Sequence, residues 1–229
     1  MSEPRTAARE LLDTVEVSTG PQPSFSVIWL HGLGADGHDF EPVVPHLGLG
    51  AAPAVRFVFP HAPVRPVTLN GGMPMRAWYD ITAISASRDQ DERGIEDSRR
   101  KVEALIGREA ERGVPAHRVV LAGFSQGGAI ALHAGLRHAD RLAGVMALSS
   151  YLLFPDRLAA ERSGANAETP VFVGHGTLDP VVPFAMGQAT AQALESLSYP
   201  VTWRSYALPH SVSMEELADI GAWLRDRIG

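Results

Sequence analysis

Residues 119–132, VVLAGFSQGGAIAL, decide how the rest of the chain is read. An apolar run enters Gly123, a serine stands between glycines at 123 and 127, and a run of small residues follows. β-Branched residues before the serine predict a buried strand, and the Gly/Ala-rich stretch after it predicts a helix over 127–136 that sits close to that strand. Gly123-Phe124-Ser125-Gln126-Gly127 fits G-x-S-x-G on a strand-to-helix turn. A serine there occupies a strained backbone that projects its hydroxyl from the sheet edge, and side chains two residues away on either side would collide. The helix after it aims its first amides at any negative charge that develops beside the serine.

Working outward, the runs 26–32, 55–62, 142–150, 170–176 and 201–210 also read as strands. Their near-continuous apolar content predicts cover on both faces, as in a parallel sheet. Helical periodicity marks 91–113, through Ile95, Val102, Leu105, Ile106 and Ala110 with Gly113 as the stop. It also marks 214–228, through Leu217, Ile220, Leu224 and Ile228, with Ser213 and Glu216 at capping-box spacing. Strands alternating with helices predict an α/β fold with a mostly parallel central sheet and helices on both faces. The reading is one domain over residues 1–229, with 1–13 as a short mobile N-terminal segment. Residues 63–80 form the one long irregular stretch, and such stretches are often functional.

Composition narrows the function. The chain has 229 residues, 45% apolar content, a net charge of −6 and no cysteine. It therefore carries neither disulfides nor thiolate nucleophiles, and its charge balance offers no basic surface for nucleic acid. No apolar h-region opens the chain and no run reaches membrane-spanning length, so the expectation is a cytoplasmic protein without stable membrane association.

A serine hydroxyl needs a base, and the base needs an orienting acid; on this topology the chain order is Ser, acid, His. Among His133, His138, His175 and His210, only His210 follows a plausible loop acid. Among Asp140, Asp156, Glu161, Glu168, Asp179 and Glu195, Asp179 closely follows strand 170–175, although Asp-Pro is also an ordinary turn signal. One oxyanion donor is expected to be the Gln126 amide. The other comes from the first strand's exit loop, His31-Gly32-Leu33-Gly34, with the Leu33 amide as candidate.

LHGLGADGHDF, GFSQGGAIAL, GTLDPVVP and LPHSVS, in this order, resemble the phospholipase/carboxylesterase family of α/β hydrolases. That group includes small bacterial carboxylesterases and the acyl-protein thioesterases, also called lysophospholipases. FPHAPVRPVTLNGGMPMRAWYDI resembles the family's substrate loop, so the likeness spans roughly residues 15–228. It implies an α/β-hydrolase fold with Ser125 as nucleophile, Asp179 as acid, His210 as base and Leu33 and Gln126 as oxyanion amides, in agreement with the reading from the residues. No cofactor is implied. The stretch 65–79 departs from eukaryotic thioesterases at Arg65, Met73, Met75 and Arg76. With Val67, Leu69, Met73, Met75, Trp78 and Ile81 taken as walls of an acyl pocket, the expectation is hydrolysis of small short- to medium-chain esters. A sheet-edge cover or homodimer contact is the alternative use of those side chains. Acyl-protein thioesterase or lysophospholipase activity is the second functional reading.

Three other classes fit less well. A metal hydrolase drawn from His31, Asp36, His38, Asp39, His61 and His175 lacks zinc-ligand spacing. A dinucleotide binder would need G-x-G-x-x-G, which HGLGADG does not supply. A non-catalytic binding protein of this fold usually lacks one triad member, and this chain has a candidate for each.

Overall fold

The computed structural model describes residues 11–50, 53–82 and 90–229. Nine strands are described: β1 (Thr14–Ser18), β2 (Phe25–Leu30), β3 (Val55–Pro60), β4 (Val64–Val67), β5 (Met73–Arg76), β6 (Val119–Phe124), β7 (Gly144–Leu148), β8 (Val171–Gly176) and β9 (Val201–Tyr206). The α-helices are α1 (Glu92–Glu111), α2 (Gln126–Gly135), α3 (Pro155–Glu161), α4 (Phe184–Ser196) and α5 (Met214–Ile228). Seven strands form one sheet in the order β1-β3-β2-β6-β7-β8-β9. Only β1 runs antiparallel to its neighbour; the other pairs are parallel.

The five inner strands, β2, β3, β6, β7 and β8, are buried almost throughout because each residue meets one of two cores. β9 departs from the expected cover on both faces: it is an edge strand, and Arg204 and Ser205 are exposed. On one face Ile28, Leu30, Val58, Leu121 and Val173 pack against Ile95, Val102 and Leu105 of α1, the alanines of α2 and Leu194 of α4. On the other, Val27, Trp29, Phe57, Val120 and Phe172 pack against Leu217, Ile220, Trp223 and Leu224 of α5. Adjacent residues of one strand thus serve opposite faces, as the pleat demands. Helices cover both faces, as the apolar runs predict.

Local details differ from the sequence reading where a partner overrides propensity. Glu109 replaces Ala110 on the buried side of α1, because Arg56 of β3 and Ser26 of β2 reach its carboxylate at 2.7 and 2.5 Å. Residues 1–10 of the expected mobile segment 1–13 lie outside the described residues; the Asp13 carbonyl accepts from the His61 amide at 2.9 Å, and β1 follows at once. The 63–80 stretch is a hairpin, β4 paired with β5, in which Pro66 stands opposite Pro74. Prolines cannot donate to a ladder, so their presence hides a two-stranded edge ribbon from a strand reading. At α5, Ser213 Oγ accepts from the Glu216 amide at 3.1 Å, but the reciprocal half of the box is missing. The Glu216 carboxyl instead fills the space over Gly174, where a side chain would overlap it.

Candidate active site

The sheet brings the sequence-predicted residues to one edge. β2 and β6 are parallel with Leu30 opposite Gly123, so the β2 exit loop, His31–Gly34, lies beside Ser125. β8 and β9 are parallel with Gly176 opposite Tyr206, which sets Asp179 and His210 on neighbouring loops at the same edge. Those loops are tied together: the Thr177 amide donates to Tyr206 O at 2.7 Å and the Leu178 amide to Leu208 O at 3.2 Å.

Ser125 has φ 53° and ψ −120°, a conformation that L-residues rarely hold. Its amide donates to Leu148 O at 2.8 Å, and its carbonyl accepts from Ser150 Oγ at 2.7 Å, so both sides of the strained turn are fixed. The flanking glycines are required by contact. A Cβ at Gly123 would overlap the Gly127 carbonyl, and one at Gly127 would overlap Leu30 O and His31 O.

Asp179 is held by three donors. Its Oδ1 accepts from the Val181 and Val182 amides at 2.8 and 2.9 Å, and its Oδ2 lies 2.7 Å from His210 Nδ1. The carboxylate is wholly buried, so these bonds replace its hydration. His210 Nδ1 donates to it as a proton-bearing nitrogen, which leaves Nε2 as the acceptor, the tautomer that a general base requires. The Phe124 ring lies 4.6 Å from the imidazole and helps to fix its plane. His175, fully buried, donates from Nε2 to Val182 O at 2.9 Å and lies 3.5 Å from Asp179 Oδ2. Burial lowers its pKa, so this imidazole is the neutral one that braces the acid's turn.

Ser125 and His210 line a common cavity of about 230 Å³ with Gly32, Leu33, Ala35, Asp39, Ile81, Phe124, Gln126, Tyr151, Val181 and Val182. No hydrogen bond joins the Ser125 hydroxyl to His210 in this conformation; such contacts often tighten only when substrate binds. The amides of Leu33 and Gln126 donate to no acceptor among the described residues, which leaves both available to an oxyanion at the cavity wall.

The four residues expected to bind substrate do not reach this cavity. Trp78 is fully buried and donates from its indole to His31 O at 2.9 Å. Leu69 and Met73 are exposed on the hairpin, and Met75 lies under Gly34 outside the cavity wall. Of the apolar residues expected to wall an acyl pocket, Ile81, just beyond the hairpin, is the one among the described residues that lines the cavity. The arginines of the same stretch are bound elsewhere: Arg76 donates to Ala62 O at 2.9 Å, and Arg65 lies 3.8 and 3.7 Å from Asp91 and Asp97. Neither arginine lines the cavity. Gln126 carries a second role that its motif position conceals. Its Oε1 accepts from the Trp78 amide at 2.8 Å and its Nε2 donates to Tyr79 O at 2.7 Å, clamping the hairpin's end to the serine turn.

The metal alternative fails on chemistry. His31 Nε2 and His61 Nδ1 accept from the Ala62 and Gly37 amides, both at 3.1 Å, so those lone pairs are in use. Burial lowers the His31 pKa to about 4, which keeps this ring neutral as an acceptor.

The family model of the phospholipases/carboxylesterases matches residues 13–228. The chain belongs to the phospholipase/carboxylesterase family. It is 42% identical over 212 residues to acyl-protein thioesterase 1 of Neurospora crassa, covering 89% of this chain and 86% of that protein. Acyl-protein thioesterase 1 of Gibberella zeae is 38% identical over 216 residues, with 90% and 92% covered. Among solved structures, Zea mays acyl-protein thioesterase 2 superposes with a TM-score of 0.81 at 29% identity, covering 95% of this chain and 99% of that one. Membership makes this chain a hydrolase of the α/β type. Among the described residues, no helix is long and apolar enough to cross a membrane.

Proposed function

We propose that the protein is an acyl thioesterase of the Ser-His-Asp type, which also cleaves oxygen esters, with Ser125, His210 and Asp179 as its triad. The observation that carries this reading is the His210–Asp179 bond of 2.7 Å beside a strained serine, at a cavity whose wall carries two unbonded amides. The identity to thioesterases favours thioesters over the short- to medium-chain esters that the sequence suggested, and the arginines of the hairpin give no ground against it.

His210 Nε2 takes the Ser125 proton as Oγ attacks the carbonyl carbon. The Leu33 and Gln126 amides receive the oxyanion. As the tetrahedral adduct collapses, the C–S bond breaks and the thiol leaves with the proton from His210. A thiol, with a pKa near 8.5, leaves readily, so this step demands less of the acid than an alcohol would. Water then repeats the sequence on the acyl-enzyme, releasing the carboxylic acid and restoring Ser125. Asp179 holds the imidazole in its tautomer and stabilises the imidazolium.

A series of acyl chains, each as matched thioester and oxygen ester with the same leaving skeleton, tests the reading. Thioesters should be hydrolysed at every chain length that the ester tolerates, with higher kcat/KM. Turnover of oxygen esters alone would return the protein to the simple carboxylesterases.

A further inference from the structure

Of the residues that line the Ser125 cavity, Asp39 alone carries a side chain that is permanently charged at neutral pH. It forms no ion pair among the described residues, and neither does Asp36, which sits one turn away with its carbonyl accepting the Asp39 amide at 3.1 Å. The nearby cation candidate, His38, is engaged by Glu41 at 2.8 Å. Asp39 is exposed at the mouth of the cavity, and the covered part of its surface together with the Asp36 charge holds its pKa above the ordinary carboxylate value. An uncompensated carboxylate in a cavity wall sets the sign of the field inside it.

The side of the cavity on which it stands can be read from ring contacts. Asp39 adjoins Phe40, whose ring lies 5.5 Å from that of Phe124; Phe124 lies 4.6 Å from His210. Phe40 and Phe124 pack into the core on the α5 face of the sheet, whereas Ile81, Tyr151 and Val182 belong to the core on the α1 face. The segment that carries Asp39 therefore joins the cavity wall from the face on which the Phe124 ring meets His210, the group that protonates the departing atom. Ile81, Tyr151 and Val182 supply apolar walls elsewhere in the cavity. The acyl chain has no need of the charge, whereas the leaving group must pass it.

We propose that Asp39 is a specificity residue that selects substrates whose leaving group is cationic over those whose leaving group is anionic. The inference rests on the hydrolase reading above and adds the chemical class of the leaving group. Its occupant is a thiol or alcohol bearing a positive charge within a few atoms of the scissile bond, such as a quaternary ammonium or the basic flank of an acylated peptide. An anionic thiol is repelled by the carboxylate. At an effective dielectric between those of protein surface and water, one unit charge a few ångströms away alters transition-state binding by about three- to tenfold.

The test uses three butyryl thioesters with leaving groups of like size: thiocholine, mercaptoethanol and thioglycolate. kcat/KM is measured on the full chain at low and at raised ionic strength. The cation-to-anion ratio should be about tenfold or more at low salt and should shrink as salt screens it, given a per-charge effect of that size. Asp39→Asn should bring the ratio towards one, and Asp39→Lys should invert it. A wild-type ratio near one, or a ratio that Asp39→Asn leaves unchanged, overturns the inference. The choline, glycol and glycolate oxygen esters form the second arm. If only these turn over and their ratio depends on Asp39, the leaving-group inference stands while the thioesterase reading falls. If neither class is cleaved, both fall.

Discussion

Glu216 makes the protein's stability fall with rising pH through the range in which most proteins are indifferent to it. The side chain is buried on the inner face of α5, and neither carboxyl oxygen has a hydrogen-bond partner among the described residues. Burial pushes its pKa up to about 8 from an ordinary value of 4.5. The folded protein therefore keeps the proton up to about pH 8, while the unfolded chain releases it near 4.5. The stabilisation is fully present below about pH 4.5 and is lost as pH rises through 8, at about 1.4 kcal/mol per pH unit in between. His31, His133, His138 and His175 act in the opposite sense. Burial lowers their pKa values, those of His31 and His133 to about 4 and about 3, so their contribution is present above about pH 6.5 and lost in acid. Above pH 7 the histidines are spent and Glu216 stands alone. Between pH 7 and 8.5 the unfolding free energy should drop by about 1.3 kcal/mol, or about 3–5 °C in Tm for a chain of this size. Urea unfolding across that range, on wild type and Glu216→Gln, measures it. The variant should be flat where the wild type falls. A flat wild type, or an equal fall in the variant, would refute the reasoning.

Two further substitutions probe the turn around Ser125. Gln126→Leu strands the Trp78 amide and the Tyr79 carbonyl, two buried groups worth about 1–3 kcal/mol each, so unfolding should cost about 2–6 kcal/mol less; a loss under about 1 kcal/mol would remove the clamp. Gly123→Ala forces a methyl against the Gly127 carbonyl and displaces the turn, so kcat/KM should fall by about 10²-fold or more in protein that remains folded by circular dichroism. Activity within tenfold of wild type would mean that the turn yields.

The sheet and the elbow were legible because burial on both faces writes unbroken apolar runs, and because a strained serine demands glycine at 123 and 127. Chain order then singled out Asp179 and His210, which the structure places 2.7 Å apart. Three things lay beyond local pattern. Glu109 looks like a solvated helix residue until Arg56 arrives from a strand 53 positions away. Pro66 and Pro74 disguise a hairpin, and an apolar count over 63–80 cannot separate a side chain buried under the hairpin, such as Trp78, or one exposed on it, such as Leu69 or Met73, from a pocket wall. The cavity draws instead on Tyr151 from the loop after β7 and on Val181 and Val182 from the loop after β8, segments too short to carry a periodicity. For Gln126 the motif announces only the backbone amide; nothing in it tells what the side chain grips.

The central claim is that Ser125 carries the acyl group. Intact-mass and peptide mass spectrometry after brief reaction with a fluorophosphonate, and with a slowly deacylating thioester, tests it on wild type, Ser125→Ala and Asp179→Asn. The account predicts one adduct per chain, located at Ser125, slower to form in Asp179→Asn and missing from Ser125→Ala together with all but about 10⁻⁴ of the turnover. An adduct on another residue, or Ser125→Ala protein that keeps more than about a tenth of wild-type activity where a loss of that size is due, would contradict it.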